Sequence, residues 1–291
     1  MGHKDISIRK IIIPVAGYGT RFLPATKAQP KEMLTIVDKP VIQYIVEEAV
    51  KSGIKDVILV TSWNKRAVED HFDRNFELEA RLRSKGKIKE LKEVIEISEL
   101  AQFFYVRQKI PRGDGDAILQ AKDLINNEPF AVAFGDDIVD NPVPCLKQLI
   151  DVFKKLKGPV IAVSELDRSE IKKFGIVAIE KLDSRTYKVL GLVEKPEPRK
   201  APSNLGITGK YILMPEIMDM LSRVKKADRD EIRLIDGLKL WIKKYPLYAY
   251  VYKGKRYDCG SKQGLLEATI DFAFKRKELR GIIKKKIKLL K

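Results

Sequence analysis

The chain has 291 residues, 44% of them hydrophobic, and carries 57 basic against 40 acidic residues for a formal charge of +17. That content suits one large α/β core and a polyanionic partner, either nucleic acid or phosphorylated small molecules, while the longest apolar runs are far too short to span a bilayer. Two distant cysteines, Cys145 and Cys259, and two histidines, His3 and His71, argue against a disulfide framework, a zinc site or a His-based metal centre.

The N-terminal MGHKDISIRK is polar and lacks an apolar segment, which points to the cytoplasm. Short Val- and Ile-rich runs at 9–16, 55–61, 102–107, 130–135 and 159–164 read as buried strands, separated by helical patterns such as PVIQYIVEEAVKSG. This alternation predicts a largely parallel sheet covered on both faces, with the ligand beyond the carboxyl ends of the strands. The charged helical stretch RNFELEARLRSKGKIKELKEVIEIS reads as a lid or an insertion between core strands. After residue 164 the pattern turns β-rich, through FGIVAIEKLDSRTYKVLGLVEKP with its Asp-Ser turn, GKYILMP and PLYAYVYKG, and helices resume at 215 and 231. No repeat, low-complexity linker or clear boundary divides the chain, so one domain over 1–291 is expected, its second half completing the first half's sheet and walling a cleft. The closing KRKELRGIIKKKIKLLK carries nine bases against one acid, with Ile282, Ile283, Ile287 and Leu290 near helical spacing. It reads as an amphipathic helix docked on its own body or on a sister subunit. Its lack of aromatic residues weighs against stacking on single-stranded nucleic acid.

The stretch PVAGYGTRFLPATKAQPKEM, directly after the first apolar run, is the chemically loaded one. A dinucleotide fingerprint needs a third glycine where Phe22 stands, and a Walker A loop needs a GK[ST] ending that does not follow Gly19. What remains is a loop whose glycines let backbone N–H groups approach an anion, followed by the cations Arg21, Lys27 and Lys31. Prolines 24 and 30 keep the loop from becoming an ordinary helix, so its side chains can converge on a nucleoside triphosphate.

The same stretch resembles the signature of sugar-1-phosphate nucleotidyltransferases, most closely the prokaryotic UTP-glucose-1-phosphate uridylyltransferases. The resemblance continues in order through VTSWNKRAVEDHFD, VRQ, EPFAVAFGDDI, FGIV, VEKP, APSNLGITGKYIL, DEIRLID and YDCGSKQG, over about residues 8–275. It implies a Rossmann-like three-layer α/β fold with a central mixed, mostly parallel sheet, a nucleotide-binding part at 8–164, a sugar-binding part at 165–260 and a basic helical segment at 261–291. It further implies magnesium-dependent transfer from UTP to glucose 1-phosphate, giving UDP-glucose and pyrophosphate by in-line attack on the α-phosphorus, in a homodimer or homotetramer. The same chemistry with dTTP or another hexose 1-phosphate stays open, and a non-catalytic regulatory or nucleic-acid-binding relative is the remaining alternative.

By the same resemblance Asp136 and Asp258 are the metal carboxylates, with Asp137 a weaker candidate. Arg21 and Lys31 hold the triphosphate and Lys195 the sugar phosphate, while Lys27 is less certain. Ala16, Gly17, Gly19, Thr20, Gln108 and Gly113 form the nucleotide side, with the Ala16 and Gly17 backbone groups and the Gln108 amide reading the base and Gly113 letting it lie close to the chain. Gly175, Glu194, Asn204 and Gly206 form the sugar pocket. Two departures stand out. GDGDA occupies 113–117 where the family usually shows GLGHA, so Asp114 and Asp116 are expected to face solvent, cap the helix starting near Ala117, or meet metal or ribose. DEIRLIDGL replaces EIQLTDAI near the acceptor side.

Overall fold

The run KIIIP forms β1 (Lys10–Pro14), where Ile11 and Ile13 pack into one hydrophobic cluster and Ile12 into another. A strand buried on both faces has no polar side, which is why the sequence shows an unbroken apolar run. The computed structural model describes residues 7–224 and 231–289; His3, Asp230 and Leu290 lie outside them. The other strands are β2 (Thr35–Ile36), β3 (Lys39–Pro40), β4 (Asp56–Thr61), β5 (Gln102–Arg107), β6 (Phe130–Ala133), β7 (Asp137–Asp140), β8 (Val160–Glu165), β9 (Gly175–Lys181), β10 (Thr186–Glu194), β11 (Leu205–Leu213), β12 (Tyr248–Val251) and β13 (Lys255–Asp258). The helices are α1 (Val41–Lys51), α2 (Arg66–Phe72), α3 (Phe76–Ser84), α4 (Ile88–Ser98), α5 (Asp114–Gln120), α6 (Cys145–Leu156), α7 (Ile217–Ser222), α8 (Leu234–Trp241), α9 (Lys262–Lys275) and α10 (Lys277–Leu289).

Nine strands make one sheet in the order β5-β4-β1-β6-β11-β8-β12-β10-β9. The registers set β5, β4, β1, β6, β8, β12 and β9 in one direction and reverse only β11 and β10, so the sheet is mixed and mostly parallel. Helices α1 and α6 bury their apolar stripes on one face, and α5, α7 and α8 on the other, giving three layers. At the far edge β9 returns to β11 through a single bridge, Ile176 to Gly206. That curl brings the start of β9, the end of β10 and the start of β11 to one rim.

Two features lie outside the main sheet. Helices α2, α3 and α4 form the insertion between β4 and β5. The short ribbon of β7 with β13 pairs Asp137 with Asp258 and Lys255 with Asp140. The chain then runs into α9, which packs on the body by an edge-on contact of Phe272 with Tyr44 at 5.0 Å and by the Arg276–Asp38 ion pair. Helix α10 packs against α9 and leaves Ile282, Ile287 and Leu289 exposed. Cys145 and Cys259 are both free and buried. Among the described residues no helix is long and apolar enough to cross a membrane.

Candidate active site

Three tight helical turns, Thr20–Phe22, Ala25–Lys27 and Lys31–Met33, replace a regular helix after β1, with the prolines standing between them as the sequence suggested. Gly19 takes φ +67°, and a Cβ there would sit 3.0 Å from Lys31 Cβ, so both backbone handedness and a close approach require glycine. Phe22 is buried as an anchor while Arg21 stays 61% exposed at its side chain. Next to Lys31, the fully enclosed Glu32 carboxylate meets Lys65 Nζ at 2.8 Å and pins the loop to the chain that follows β4. Gly17 has open space around its Cα, and Lys27 is exposed, taking no part in the contacts described next.

Those contacts centre on Asp136. It follows the carboxyl end of β6, and its Oδ2 accepts from Lys31 Nζ at 2.6 Å, with Arg21 Nη2 4.0 Å away. Pairing of β7 with β13 delivers Asp258 to the same corner, where its Oδ2 lies 3.9 Å from Arg21 Nη1. The turn is closed by Cys259 N–H donating to the Asp136 carbonyl at 2.8 Å and Gly260 N–H donating to Asp258 Oδ1 at 3.1 Å. A Cβ on Gly260 would fall 2.2 Å from Asp136 Oδ2, so glycine keeps the space over that oxygen free. Asp137 is turned elsewhere. Its carboxylate is gripped by Arg256 at 2.9 to 3.1 Å and accepts Gly209 N–H at 3.1 Å, which locks the ribbon to β11.

The two aspartates are shifted in opposite directions. Burial opposes the charge on Asp136, but Lys31, Arg21 and Arg256 together outweigh it and hold that carboxyl below the ordinary carboxylate range. Burial and then the neighbouring Asp136 push Asp258 above it. Lys31 is desolvated too, yet Asp136 and Glu32 hold its ammonium on.

Asp136 and Asp258 open onto a cleft of about 1220 Å³ whose other wall carries Gly175, Glu194 and Lys195. The β10–β9 register sets Glu194 opposite Gly175, and a Cβ on Gly175 would sit 3.3 Å from Glu194 Oε2 and 2.8 Å from Ile235 Cδ1. Lys195 takes φ +45°, costly for a lysine, with its N–H bound to the Phe174 carbonyl at 3.0 Å and its side chain 56% exposed. Strained backbone on a cleft wall is a recognised mark of function. Gly206 is buried one step back, where a Cβ would strike Leu166 Cδ1 at 2.3 Å; Asn204 is exposed and accepts Leu166 N–H through its backbone carbonyl at 2.9 Å. Arg233, in the segment where the sequence departs from the family pattern, lies 3.7 Å from Glu194 and 3.1 Å from Glu231.

Along the sheet rim the carboxyl ends of β6, β1, β4 and β5 carry, in turn, Asp136, Ala16, Ser62 and Gln108, with Ser62 Oγ donating to the Ala16 carbonyl at 3.1 Å. The GDGDA turn follows. Asp116 is buried, Asp114 is half-buried on the cleft wall, and neither caps the adjacent helix, which starts at Asp114 itself. Gly113, at φ +100° and with Ile232 O only 2.5 Å from where a Cβ would stand, swings the turn against the 232 backbone. Asp114 consequently caps α8, accepting Leu234 N–H at 2.8 Å, and Asp116 turns inward to Gln108 and Arg112. Burial raises the Asp114 carboxyl above its usual range.

A nucleotidyl transferase family profile matches residues 10–273. The UTP–glucose-1-phosphate uridylyltransferase of Staphylococcus epidermidis is 50% identical over 97% of this chain and 98% of its own length, and that of Bacillus subtilis is 47% identical over 94% and 92%. Among solved structures, a UDP-glucose pyrophosphorylase complexed with UDP-glucose matches with TM-score 0.85 and 43% identity over 93% of this chain and all of its own. A UTP-bound enzyme from Acinetobacter baumannii matches with TM-score 0.91 and 38% identity over 98% of this chain and all of its own.

Proposed function

The chain belongs to the nucleotidyl transferase family, and on that premise we propose that it is a UTP-glucose-1-phosphate uridylyltransferase releasing pyrophosphate in a magnesium-dependent reaction. The observation that carries this reading is the convergence of Asp136, Asp258, Arg21 and Lys31 at one corner of a cleft whose opposite wall holds Glu194 and Lys195.

Two carboxylates without nitrogen or sulfur donors suit a hard divalent cation that keeps waters and takes further oxygens from phosphates. Among the described residues no group of three or more His, Cys, Asp or Glu side chains gathers, so phosphate and water would complete the shell around Asp136 and Asp258. Bound there, magnesium would neutralise charge on the reacting phosphates. Arg21 supplies a planar fork to the triphosphate, and Lys31 orients Asp136 and adds positive charge behind it. Lys195 draws in the phosphate of the sugar, Glu194 accepts sugar hydroxyls, and Gly175 leaves room for the ring. With both anions fixed, one sugar-phosphate oxygen is set in line with the α-phosphorus and pyrophosphate departs on the far side. No covalent enzyme intermediate is needed, and the rate comes from alignment and charge neutralisation.

Pyrophosphate release is the test, with UTP or dTTP against glucose, galactose and N-acetylglucosamine 1-phosphates, with magnesium or with chelator. Turnover confined to UTP with glucose 1-phosphate and lost on chelation is expected. Preference for another pair, or full turnover in chelator, would overturn the assignment.

A further inference from the structure

At the end of the rim remote from Asp136, the GDGDA turn builds an arrangement that phosphoryl transfer does not require. Gln108 and Asp116 are 4% and 3% exposed. Gln108 Nε2 donates to Asp116 Oδ2 at 2.7 Å and to the Gly113 carbonyl at 3.1 Å. Neither partner is placed to donate in return, since a backbone carbonyl has no proton and the other Asp116 oxygen, Oδ1, is taken by Arg112 Nη2 at 3.1 Å, a group that only donates. The amide is therefore seated one way round. Both its N–H groups are engaged, and Oε1 is the group left for a ligand; no described residue donates to it.

We propose that Asp116 is a specificity-determining positioning residue that makes Gln108 an obligate acceptor toward the nucleobase. Uracil and thymine present an N3–H donor to such an oxygen, whereas cytosine presents a bare N3 lone pair and is refused. The inference rests on the proposed function and on the family resemblance, which sets the base against Gln108. Strand order supports that placement: β5 stands three strand spacings from β6, about 14 Å along the rim, which leaves room for a ribose and base whose phosphates lie at Asp136. A merely structural aspartate would fasten the turn without caring which way the amide faced.

The test is Asp116→Asn in the full chain. Arg112 can only donate, so it retains the new side chain's oxygen and turns its NH₂ toward Gln108. Two NH₂ groups cannot face each other, so the Gln108 amide loses its Asp116 anchor and is tied only by the Gly113 carbonyl, no longer fixed with Oε1 toward the base. Binding of UTP and of CTP is measured by calorimetry, with thermal melting to verify folding. Wild type is expected to favour UTP, and the variant to lose at least about tenfold of that preference. Gln108→Met, which removes the amide at similar volume, is expected to level the two affinities by a route independent of Asp116. The proposal falls if wild type binds the two nucleotides alike, if folded Asp116→Asn keeps the preference, or if Gln108→Met keeps it. Pyrophosphate release from UTP and glucose 1-phosphate is followed in parallel. A wild type that prefers UTP in binding yet shows no turnover strikes the proposed function alone, and turnover with an unmoved preference in Asp116→Asn strikes this inference alone.

Discussion

The two ends of the nucleotide rim are built on opposite principles. At the Asp136 end the working groups are long, charged and partly in water: Arg21 is 61% and Asp258 39% exposed at the side chain. At the Gln108 end Gln108 and Asp116 are short, enclosed and hydrogen-bonded, only Arg112 behind them reaches water, and even the glycine is fixed by the Ile232 backbone. Attraction between phosphate and cation acts over several ångströms and tolerates mobile side chains, whereas telling one base edge from another depends on which atom of an amide faces it. In the proposed reading, strength would be supplied where the site is loose and discrimination where it is tight.

Breaking the loose end should cost most in rate. Asp136→Ala is expected to lower kcat/KM by about a thousandfold or more and to lower the melting temperature as well, because the charge partner of the largely buried Lys31 and one carboxylate of the proposed metal pair are lost together. Steady-state assays with a parallel melt check both halves, and a loss under tenfold would remove Asp136 from the chemistry. Breaking the tight end should show first in stability. Gly113→Ala forces a Cβ to within 2.5 Å of a backbone oxygen at φ +100°, and about 2 kcal/mol or more of destabilisation is expected by chemical denaturation.

Gentler probes sharpen the contrast. Raising salt from about 0.05 to 0.5 M should raise the KM for both substrates several-fold while leaving the UTP:CTP preference in place, since exposed charges are screened and enclosed dipoles are not. Acid should act through Asp258 first. Its raised carboxyl takes up a proton before the depressed Asp136, so activity is expected to fall on the acid side while the fold persists. For stability the sign differs between the two. Asp136, depressed in the fold, stabilises above its unfolded value and loses that contribution only as pH drops through its lower folded one; Asp258, raised in the fold, opposes folding at neutral pH. Asp258→Asn should therefore abolish turnover yet raise the melting temperature by about 1–2 °C, a small gain because water screens so exposed a carboxyl. A lowered melting temperature would mean that Asp258 stabilises the corner rather than straining it.

Much of this was legible in the residues. The β1 loop carries its cations Arg21, Lys27 and Lys31 soon after the strand end at Pro14, and Asp136 follows an apolar run, so local pattern sufficed to place both at a carboxyl-end rim. What escaped the sequence depends on register across distance. Arg256 holds Asp137 over 119 positions, and Asp114 caps a helix 120 positions away, although capping is ordinarily sought in the next turn. The left-handed backbone of Lys195 and the position of Arg233 beside Glu194 follow from the curl that returns β9 to β11, which no run of apolar residues announces.

The β7–β13 ribbon also sets a timetable. As the chain leaves the ribosome, the phosphate loop and Asp136 emerge early and eight of the nine sheet strands are synthesised by Leu213. Asp258 and the arginine that steadies its neighbour come only in the last stretch. A growing polypeptide thus holds nearly its whole main sheet while still lacking Asp258, one half of the proposed metal-binding pair, so a chain terminated before residue 258 is expected to have no catalysis.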